Sequence, residues 1–220
     1  YQKEEKLVLH EKKSQLMFPV LKKVKQGLED GVLVRKIALD ENEKEIIKEL
    51  NLLTAKSVLY VGNVGENDIE GKSEMACKVR DLAKSENAGF IAISGKIECE
   101  LSDLEEQERI EYLQTYGLNE PGKYKLINSV FNLLGLITYF TAGEKEVRAW
   151  DIPKNTKAPQ AAGKIHSDFE RGFIAAEVIH YNDLIKSDGY PDAKNKGLVR
   201  LEGKDYIVKD GDCCIFRFSV

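Results

Sequence analysis

The chain has 220 residues, of which 42% are apolar and 32% are charged, a composition that is typical of a globular protein and excludes a mostly disordered chain. Lys and Arg total 33 against 37 Asp and Glu, so the net charge of -4 provides no general attraction to nucleic acid or anionic lipid. The length favours two small domains over one large one.

The sequence also argues against a membrane protein or a secreted disulfide scaffold. No apolar stretch reaches the roughly 18 residues of a membrane helix, and residues 1–6 lack the apolar core of a signal peptide. Four cysteines form no C-x-x-C pair, which favours neither zinc nor disulfides. We therefore predict a cytoplasmic protein without a membrane or DNA partner. Because the first residue is Tyr1 in a charged run, we expect the sequence to begin within a longer protein; N-terminal processing is the alternative.

Residues 1–50 have the pattern of two amphipathic helices. Leu21, Val24 and Leu28 recur at helical spacing, Gly31 interrupts the pattern, and apolar residues resume it from Ile46 to position 50. The pattern predicts a helical hairpin. Because the periodicity does not persist for three heptads, two ordinary packing helices and a projecting coiled-coil arm remain equally compatible with it.

A βαβ unit is predicted next. Residues 57–61 form an apolar run of strand type, a helix follows with Met75, Val79 and Leu82 on one face, and a second strand spans residues 90–93. Parallel strands place the loops that follow them at one edge of the sheet, where such sheets bind ligands. The two loops concerned begin at Asn63 and Ser94.

Two further helices should complete this α/β part, which we expect to close near Gly135. The residues from Ser102 to Glu105 have the capping-box pattern for a helix that ends near Gly117. Pro121 lies where the first turn of another helix tolerates proline.

From residue 136 onward, short strands alternate with turns. The predicted strands are residues 137–141, 147–151, 173–179, 198–201 and 215–218. One helix interrupts them, with Pro159 near its start, Ala162, Ile165 and Phe169 as its buried face, and Gly172 after its end. We expect a small mixed sheet around this helix. On the last strand Cys213 and Cys214 should alternate, one in the core and one on the surface.

Asn63-Val64-Gly65-Glu66 occupies the position at which P-loop GTPases carry Asn-Lys-x-Asp. In that motif the Asn amide bonds the purine edge and the Asp accepts from the N1 hydrogen and 2-amino group of guanine. Here Glu66 is longer by one methylene and Val64 replaces the Lys that covers the base. Adenine has neither of those hydrogens to offer a carboxylate. The loop therefore predicts purine binding with weak guanine specificity, although a polar turn with an incidental Asn has the same local pattern.

A second loop, Ser94-Gly95-Lys96, follows the next strand and has the order and spacing of a loop whose backbone contacts the base.

The tripeptide Gly71-Lys72-Ser73 matches the last three positions of the phosphate-binding loop G-x-x-x-x-G-K-[ST], but it is not the end of such a loop. The first Gly of that motif would have to occupy position 66, which is Glu66. Acidic side chains nearby would also repel phosphates.

Segments across nearly the whole chain resemble the YchF-type, or Obg-like, ATPases of the P-loop GTPase class. The segments are residues 59–66 (LYVGNVGE), 93–98 (ISGKIE), 132–143 (NLLGLITYFTAG), 146–150 (EVRAW), 164–173 (KIHSDFERGF) and 203–212 (GKDYIVKDGD). The resemblance implies an α/β fold with a coiled-coil arm in residues 1–50. It implies the C-terminal part of a P-loop nucleotide-binding domain with a parallel sheet in residues 51–136, and a TGS domain of ubiquitin-like β-grasp fold in residues 137–220.

The resemblance further implies hydrolysis of ATP, and of GTP as well, with Mg²⁺. Carried over by position, Asn63 and Val64 contact the base, Glu66 stands in place of the guanine-reading Asp, and Ser94 and Gly95 line the other side. Gly95 stands where we expect Ala. The phosphate-binding loop and Mg²⁺ ligands have no counterpart in this sequence, so we expect Mg²⁺ to be held by residues outside this chain and these 220 residues alone to be inactive. No catalytic residue can be named.

Two functions are compatible with this sequence. The first is a nucleotide hydrolase whose nucleotide state controls binding to the ribosome or translation machinery, as the resemblance implies. The second is a non-enzymatic module that binds RNA or the ribosome through the TGS domain; the balanced charge of residues 137–220 counts against strong RNA affinity. A third, weaker interpretation assigns partner binding to the helical arm.

Overall fold

The computed structural model describes residues 12–143 and 146–219. The chain divides into two compact units, one up to Ser129 and one from Val130 onward. The predicted division into residues 1–50, 51–136 and 137–220 stays a prediction, and residues 1–11 of the predicted arm lie outside the described residues. Within the described ranges, no helix is long and apolar enough to span a membrane.

The described part of the first unit starts with the two predicted helices, α1 (Lys12–Glu29) and α2 (Glu41–Lys48). Gly31 follows α1 with a φ of 73°, a left-handed conformation that glycine adopts without strain. Asp40 caps α2 through the backbone N–H of Glu43, which satisfies one of the otherwise unpaired donors of its first turn. The helices share a small core composed of Val20, Leu21, Val24, Val34 and Ile47. The predicted coiled-coil character stays a prediction.

The predicted βαβ unit is confirmed. It consists of β1 (Leu59–Asn63), α3 (Glu74–Ser85) and β2 (Gly89–Ile93), and the two strands are parallel with Asn63 opposite Ile93. The first strand begins and ends two residues later than predicted, so Asn63 is its last residue rather than the start of a loop. Both strands end at one edge of the sheet, and the predicted site residues lie there.

Of the apolar face predicted for α3, only Val79 is half-buried. Met75 is 80% exposed and Leu82 is 48% exposed, whereas Ala76 and Ala83 are buried. The turn that leads into α3 lies close to both elements, because a Cβ atom at Gly71 would lie 2.7 Å from the Cβ of Ala92 in β2 and 3.6 Å from that of Ala76. Only small side chains fit at so close an approach.

Three helices complete the first part of the chain: α4 (Gly95–Ser102), α5 (Glu106–Thr115) and α6 (Gly122–Leu134). The predicted helices near residues 106–117 and after Pro121 are confirmed, but the predicted cap at Ser102 is wrong. Ser102 ends α4, and the helix α5 instead has Glu105 at its N-cap, where the backbone N–H donates to the side chain of Glu108. The reason is that α4 starts directly after β2, where we predicted a loop, and extends through Ser102.

The second unit contains a five-stranded mixed sheet, as predicted. Its strands are β3 (Leu136–Ala142), β4 (Val147–Pro153), β5 (Phe173–His180), β6 (Arg200–Glu202) and β7 (Asp212–Phe218). They are ordered β4-β3-β7-β5-β6. Strands β3 and β7 are parallel, and the other neighbouring pairs are antiparallel.

The single helix predicted within this sheet is two helices, α7 (Ala158–Ile165) and α8 (Ser167–Arg171). They are separated at His166, whose φ of -159° and ψ of 142° are extended rather than helical. The fully buried residues of α7 are Ala158, Ala161 and Ala162. Of the predicted buried face, only Ala162 is correct; Ile165 and Phe169 are half-buried.

Two short helices were not predicted, α9 (Tyr181–Ile185) and α10 (Gly189–Asn195). They correct the expectation for the two adjacent cysteines, since both thiols are buried. Cys214 packs in the core that contains α7, whereas Cys213 packs with Ala193 of α10 on a separate cluster. Cys213 and Cys214 therefore lie on opposite faces of β7, as predicted, but both faces of the strand are covered.

Candidate nucleotide-base site

Asn63 and Gly95 join the ends of the two parallel strands. The side-chain Oδ1 of Asn63 accepts a hydrogen bond of 3.0 Å from the backbone N–H of Gly95. One residue further, the backbone N–H of Val64 donates to the carbonyl oxygen of Ile93 over 2.9 Å. The predicted loops, which are about 30 residues apart in sequence, are thus held together at one edge of the sheet.

The hydrogen bond with Gly95 determines what the Asn63 side chain can offer a ligand. An amide side chain has one carbonyl acceptor and one NH₂ donor, and the acceptor is engaged by the protein. The exposed side chain therefore presents its Nδ2 donor. The N7 atom of both adenine and guanine is an acceptor, so Asn63 can bind either purine without distinguishing them.

Gly95 is the first residue of α4, where the backbone comes close to Asn63. A Cβ atom at this position would lie 3.2 Å from Asn63 Oδ1, which is tight but can be relieved by a shift of a few tenths of an ångström. Gly95 is exposed, and so its backbone can contact a planar ligand. The absence of a side chain at this position leaves the Asn63 amide unobstructed.

Ser94 and Val64 are less accessible than the sequence suggested. Ser94 is only 4% exposed, and its Oγ has no hydrogen-bond partner among the described residues. It lies in the wall of a cleft of about 350 Å³ that Glu98 and Lys125 also line. Val64 is half-buried. The predicted contacts of both residues with a base stay predictions.

Glu66 is held by two donors from the helices that follow β2. Its Oε2 lies 2.8 Å from the Nζ of Lys96, and its Oε1 accepts a hydrogen bond of 3.0 Å from the hydroxyl of Tyr116. The hydrogen bond from Lys96, followed by that from Tyr116, lowers the pKa of Glu66 below its ordinary value. The same contact raises the pKa of Lys96. Each oxygen of the Glu66 carboxylate therefore already accepts one hydrogen bond, and its charge is paired with that of Lys96.

Lys96 and Tyr116 were not predicted from the sequence to be partners of Glu66. Lys96 belongs to the second loop and could have been suspected from its neighbours Ser94 and Gly95. Tyr116 gave no local signal, because it lies 50 residues from Glu66 at the end of α5. Its role follows only from the packing of α5 beside α4.

The tripeptide Gly71-Lys72-Ser73 is confirmed not to be a phosphate-binding loop. The backbone N–H groups of Lys72 and Ser73 donate to the carboxylate of Asp68, over 2.6 and 3.0 Å. These are the groups that would cradle a phosphate, and an acidic side chain occupies them. Among the described residues, no group of three or more His, Cys, Asp or Glu side chains could hold a metal ion.

Comparison with known proteins finds relatives that match both units of the chain. Residues 136–219 match the family model YchF-GTPase_C, described as a protein family of unknown function. The chain is 47% identical over 205 residues to a Bacillus subtilis protein named ribosome-binding ATPase YchF, covering 92% of this chain and 56% of that protein. It is 45% identical over 201 residues to the Escherichia coli O157:H7 protein of the same name, with 91% and 55% covered. The chain thus spans little more than half the length of these curated relatives.

Solved structures agree with the sequence comparison. The structure of the Schizosaccharomyces pombe YchF GTPase superposes with a TM-score of 0.78 at 36% identity, covering 94% of this chain and 55% of that one. A GTP-binding protein from Pyrococcus horikoshii OT3 superposes with a TM-score of 0.51 at 17% identity, covering 93% and 68%. At that identity the second likeness concerns the fold alone.

Proposed function

The chain belongs to the YchF family, and from this we propose that it binds a purine nucleotide at the strand ends marked by Asn63 and Gly95. We further propose that the intact protein hydrolyses ATP, and GTP as well, and that its nucleotide state controls binding to the ribosome. The observation that carries the proposal is the hydrogen bond between Asn63 Oδ1 and Gly95 N–H at 3.0 Å. It leaves the amide donor of Asn63 to meet the N7 of a purine.

The proposed base preference is adenine over guanine. Glu66 occupies the position from which the GTPase motif reads guanine, but its two carboxylate oxygens are engaged by Lys96 and Tyr116. These contacts hold the carboxylate toward Lys96 and Tyr116, so guanine would gain little from it for its N1 and 2-amino hydrogens, whereas adenine requires no acceptor there. We assign Val64, Ser94 and Gly95 to the two sides of the base.

The phosphates and Mg²⁺ require groups that this chain does not supply. Phosphoryl transfer depends on a phosphate cradle and a metal that neutralise developing charge. We propose that these groups lie in the part of the relatives' length that this chain does not span, and that the 220 residues alone are inactive. No residue of this chain is assigned a catalytic role.

We propose ribosome binding because both bacterial relatives described above are named ribosome-binding ATPases. We place it in residues 137–220, which we propose to be a TGS domain of β-grasp fold, with the helical arm of residues 1–50 as the alternative surface. The proposed location is the cytoplasm.

A second candidate function is non-enzymatic binding of RNA or the ribosome by the second unit alone. Its support is a cleft of about 500 Å³ lined by aromatic side chains, among them Trp150, Phe169 and Phe216. The guanidinium of Arg148 lies 4.1 Å from the centre of the Trp150 ring, an arrangement that single-stranded RNA-binding surfaces also use.

Titration calorimetry on the full-length natural protein tests the first proposal. We expect saturable binding of ATP, with GTP binding equally or more weakly, and Mg²⁺-dependent release of phosphate from ATP. The absence of binding by either nucleotide would contradict the proposal. Ribosome binding that is unaffected by nucleotide, but abolished by Trp150→Ala, would favour the second function instead.

A further inference from the structure

We propose that Tyr116 and Lys96 are positioning residues that set the base selectivity of this site by holding the Glu66 carboxylate away from a bound purine. The inference rests on the proposed nucleotide binding at Asn63 and Gly95. It adds that the site contains an acceptor suited to guanine, the Glu66 carboxylate, but that contacts with the protein keep this acceptor from the base.

The two contacts of Glu66 come from separate elements. Lys96 is the second residue of α4, and Tyr116 follows directly after α5. Each takes one carboxylate oxygen, at 2.8 Å and 3.0 Å respectively. Because the donors approach different oxygens, they restrain the orientation of the carboxylate as well as its position, which one donor alone would not do.

Neighbouring groups support both donors. The Tyr112 hydroxyl lies 3.4 Å from that of Tyr116 and also bonds the carboxylate of Glu100. The Lys96 ammonium lies 3.9 Å from the same Glu100. Lys96 and Tyr116 are therefore parts of a connected polar network, and moving Glu66 toward a ligand would break contacts that the network makes.

The chemistry of the base edge predicts which nucleotides are affected. Guanine and hypoxanthine carry an N1 hydrogen that a carboxylate can accept, whereas adenine has an acceptor at N1 and gains nothing. Glu66 lies three residues after Asn63, the spacing at which the GTPase motif places its base-reading carboxylate. Releasing Glu66 should thus strengthen GTP and ITP binding and leave ATP binding unchanged.

The experiment measures the affinities of ATP, GTP and ITP for the full-length natural protein and for Tyr116→Phe, Lys96→Met and the double variant. In the double variant we expect GTP and ITP to gain about fivefold or more relative to ATP, the size of one recovered charge-assisted hydrogen bond. Each single variant should show a smaller gain. The matched control is Tyr124→Phe, which removes the hydroxyl of a tyrosine that is 47% exposed and lies outside this network, and it should leave the ratio unchanged.

Adding Glu66→Gln to the double variant should abolish the gain, because an amide no longer attracts the N1 hydrogen as a carboxylate does. Glu66→Gln alone tests the inference without removing Lys96 or Tyr116, and it should change the GTP to ATP ratio by less than about twofold. An unchanged ratio in a double variant that binds ATP like the wild type would overturn the inference. So would a gain that persists when Glu66→Gln is added to the double variant. A wild-type protein that binds no nucleotide would instead contradict the proposed function.

Discussion

Asn63 Oδ1 accepts a hydrogen bond from Gly95 N–H over 3.0 Å, although 32 residues separate them in sequence. The contact exists because β1 and β2 are parallel and adjacent, so that their last residues lie side by side. It holds the two loops of the proposed base site together, and it leaves the amide donor of Asn63 available to a ligand.

The close approach at Gly95 predicts a small effect of Gly95→Ala. The new Cβ would lie 3.2 Å from Asn63 Oδ1, and the exposed Asn63 side chain can shift slightly. Ala also favours the helix that begins here. We expect ATP affinity to change by less than about threefold, as measured by calorimetry.

Gly71→Ala provides the contrasting substitution. Gly71 has a φ of 64°, and its added Cβ would lie 2.7 Å from that of Ala92. This variant should lower the thermal midpoint clearly, since both strain and overlap oppose it. Equal effects of the two substitutions on stability would contradict the close packing of the turn at Gly71 against Ala92 of β2.

Base selectivity should be independent of pH near neutrality. Because the pKa of Glu66 is lowered, the stabilisation that its charged form gives to the contact with Lys96 is fully present above the ordinary pKa of 4.5. This stabilisation is lost as the pH falls through the lowered pKa. Because the pKa of Lys96 is raised, the stabilisation from its charged form is present below 10.5 and is lost as the pH rises through the raised pKa. The GTP to ATP affinity ratio should therefore stay constant between about pH 6 and pH 8. A change of this ratio with pH within that range would show that another titratable group controls the selectivity.

Tyr139 should contribute to the stability of the second unit through its hydroxyl. The side chain is fully buried, and its hydroxyl donates to the carbonyl oxygen of Ala161 over 2.8 Å. Tyr139→Phe should reduce the free energy of unfolding by about 1 kcal/mol, and Tyr139→Ala by about 3 to 5 kcal/mol.

Urea denaturation followed by the fluorescence of Trp150 measures this effect. Trp150 is the only tryptophan in the sequence and lies in the second unit. Tyr181→Phe is the matched control, because Tyr181 is 42% exposed and should change the free energy by less than about 0.5 kcal/mol. Comparable losses for Tyr139→Phe and Tyr181→Phe would contradict the assigned role of the buried hydroxyl.

The four thiols should differ in reactivity. Cys99 is exposed and Cys77 is half-buried, whereas Cys213 and Cys214 are buried, and burial raises the pKa of both. Because the thiolate is the reactive form, a maleimide should label Cys99 first and should reach Cys213 and Cys214 only after denaturation. Mass spectrometry of the labelled peptides identifies the sites. Labelling of Cys214 at the rate of Cys99 would contradict the two-sided cover of β7.

Local pattern was sufficient for much of the fold. Apolar runs bounded by turn residues predict β1 and β2, and the intervening helical pattern requires them to be parallel. Their edge then brings Asn63 and Gly95 together without further information. The same reasoning predicts the mixed sheet of the second unit.

Contacts between distant elements could not be predicted. Met75 and Leu82 have the spacing of a buried face, but Ala76 and Ala83 are the residues of α3 that are buried. Hydrophobic spacing alone does not show which face of a helix packs against its neighbours. The helices α9 and α10 are too short to give a clear period, and without them the burial of Cys213 could not be expected.

The engagement of Glu66 was missed for a related reason. The motif shows that a carboxylate follows Asn63 by three residues, but it does not show which donors meet it. Tyr116 approaches Glu66 only because α4 and α5 pack beside the strand ends. The side-chain length of Glu66 thus predicts a base preference from the sequence, whereas the contacts that we propose to produce it required the structure.

The most direct test of the central claim compares ATP and GTP affinity in the wild-type protein, Asn63→Ala, Asn63→Asp and the control Asn67→Ala. Asn67 is exposed in the same loop and should be neutral. Asn63→Asp keeps the acceptor for Gly95 N–H but removes the donor for the purine. We predict a loss of about tenfold or more for both nucleotides, in similar proportion, in both Asn63 variants. Unchanged ATP affinity in Asn63→Ala would contradict the assignment of this site.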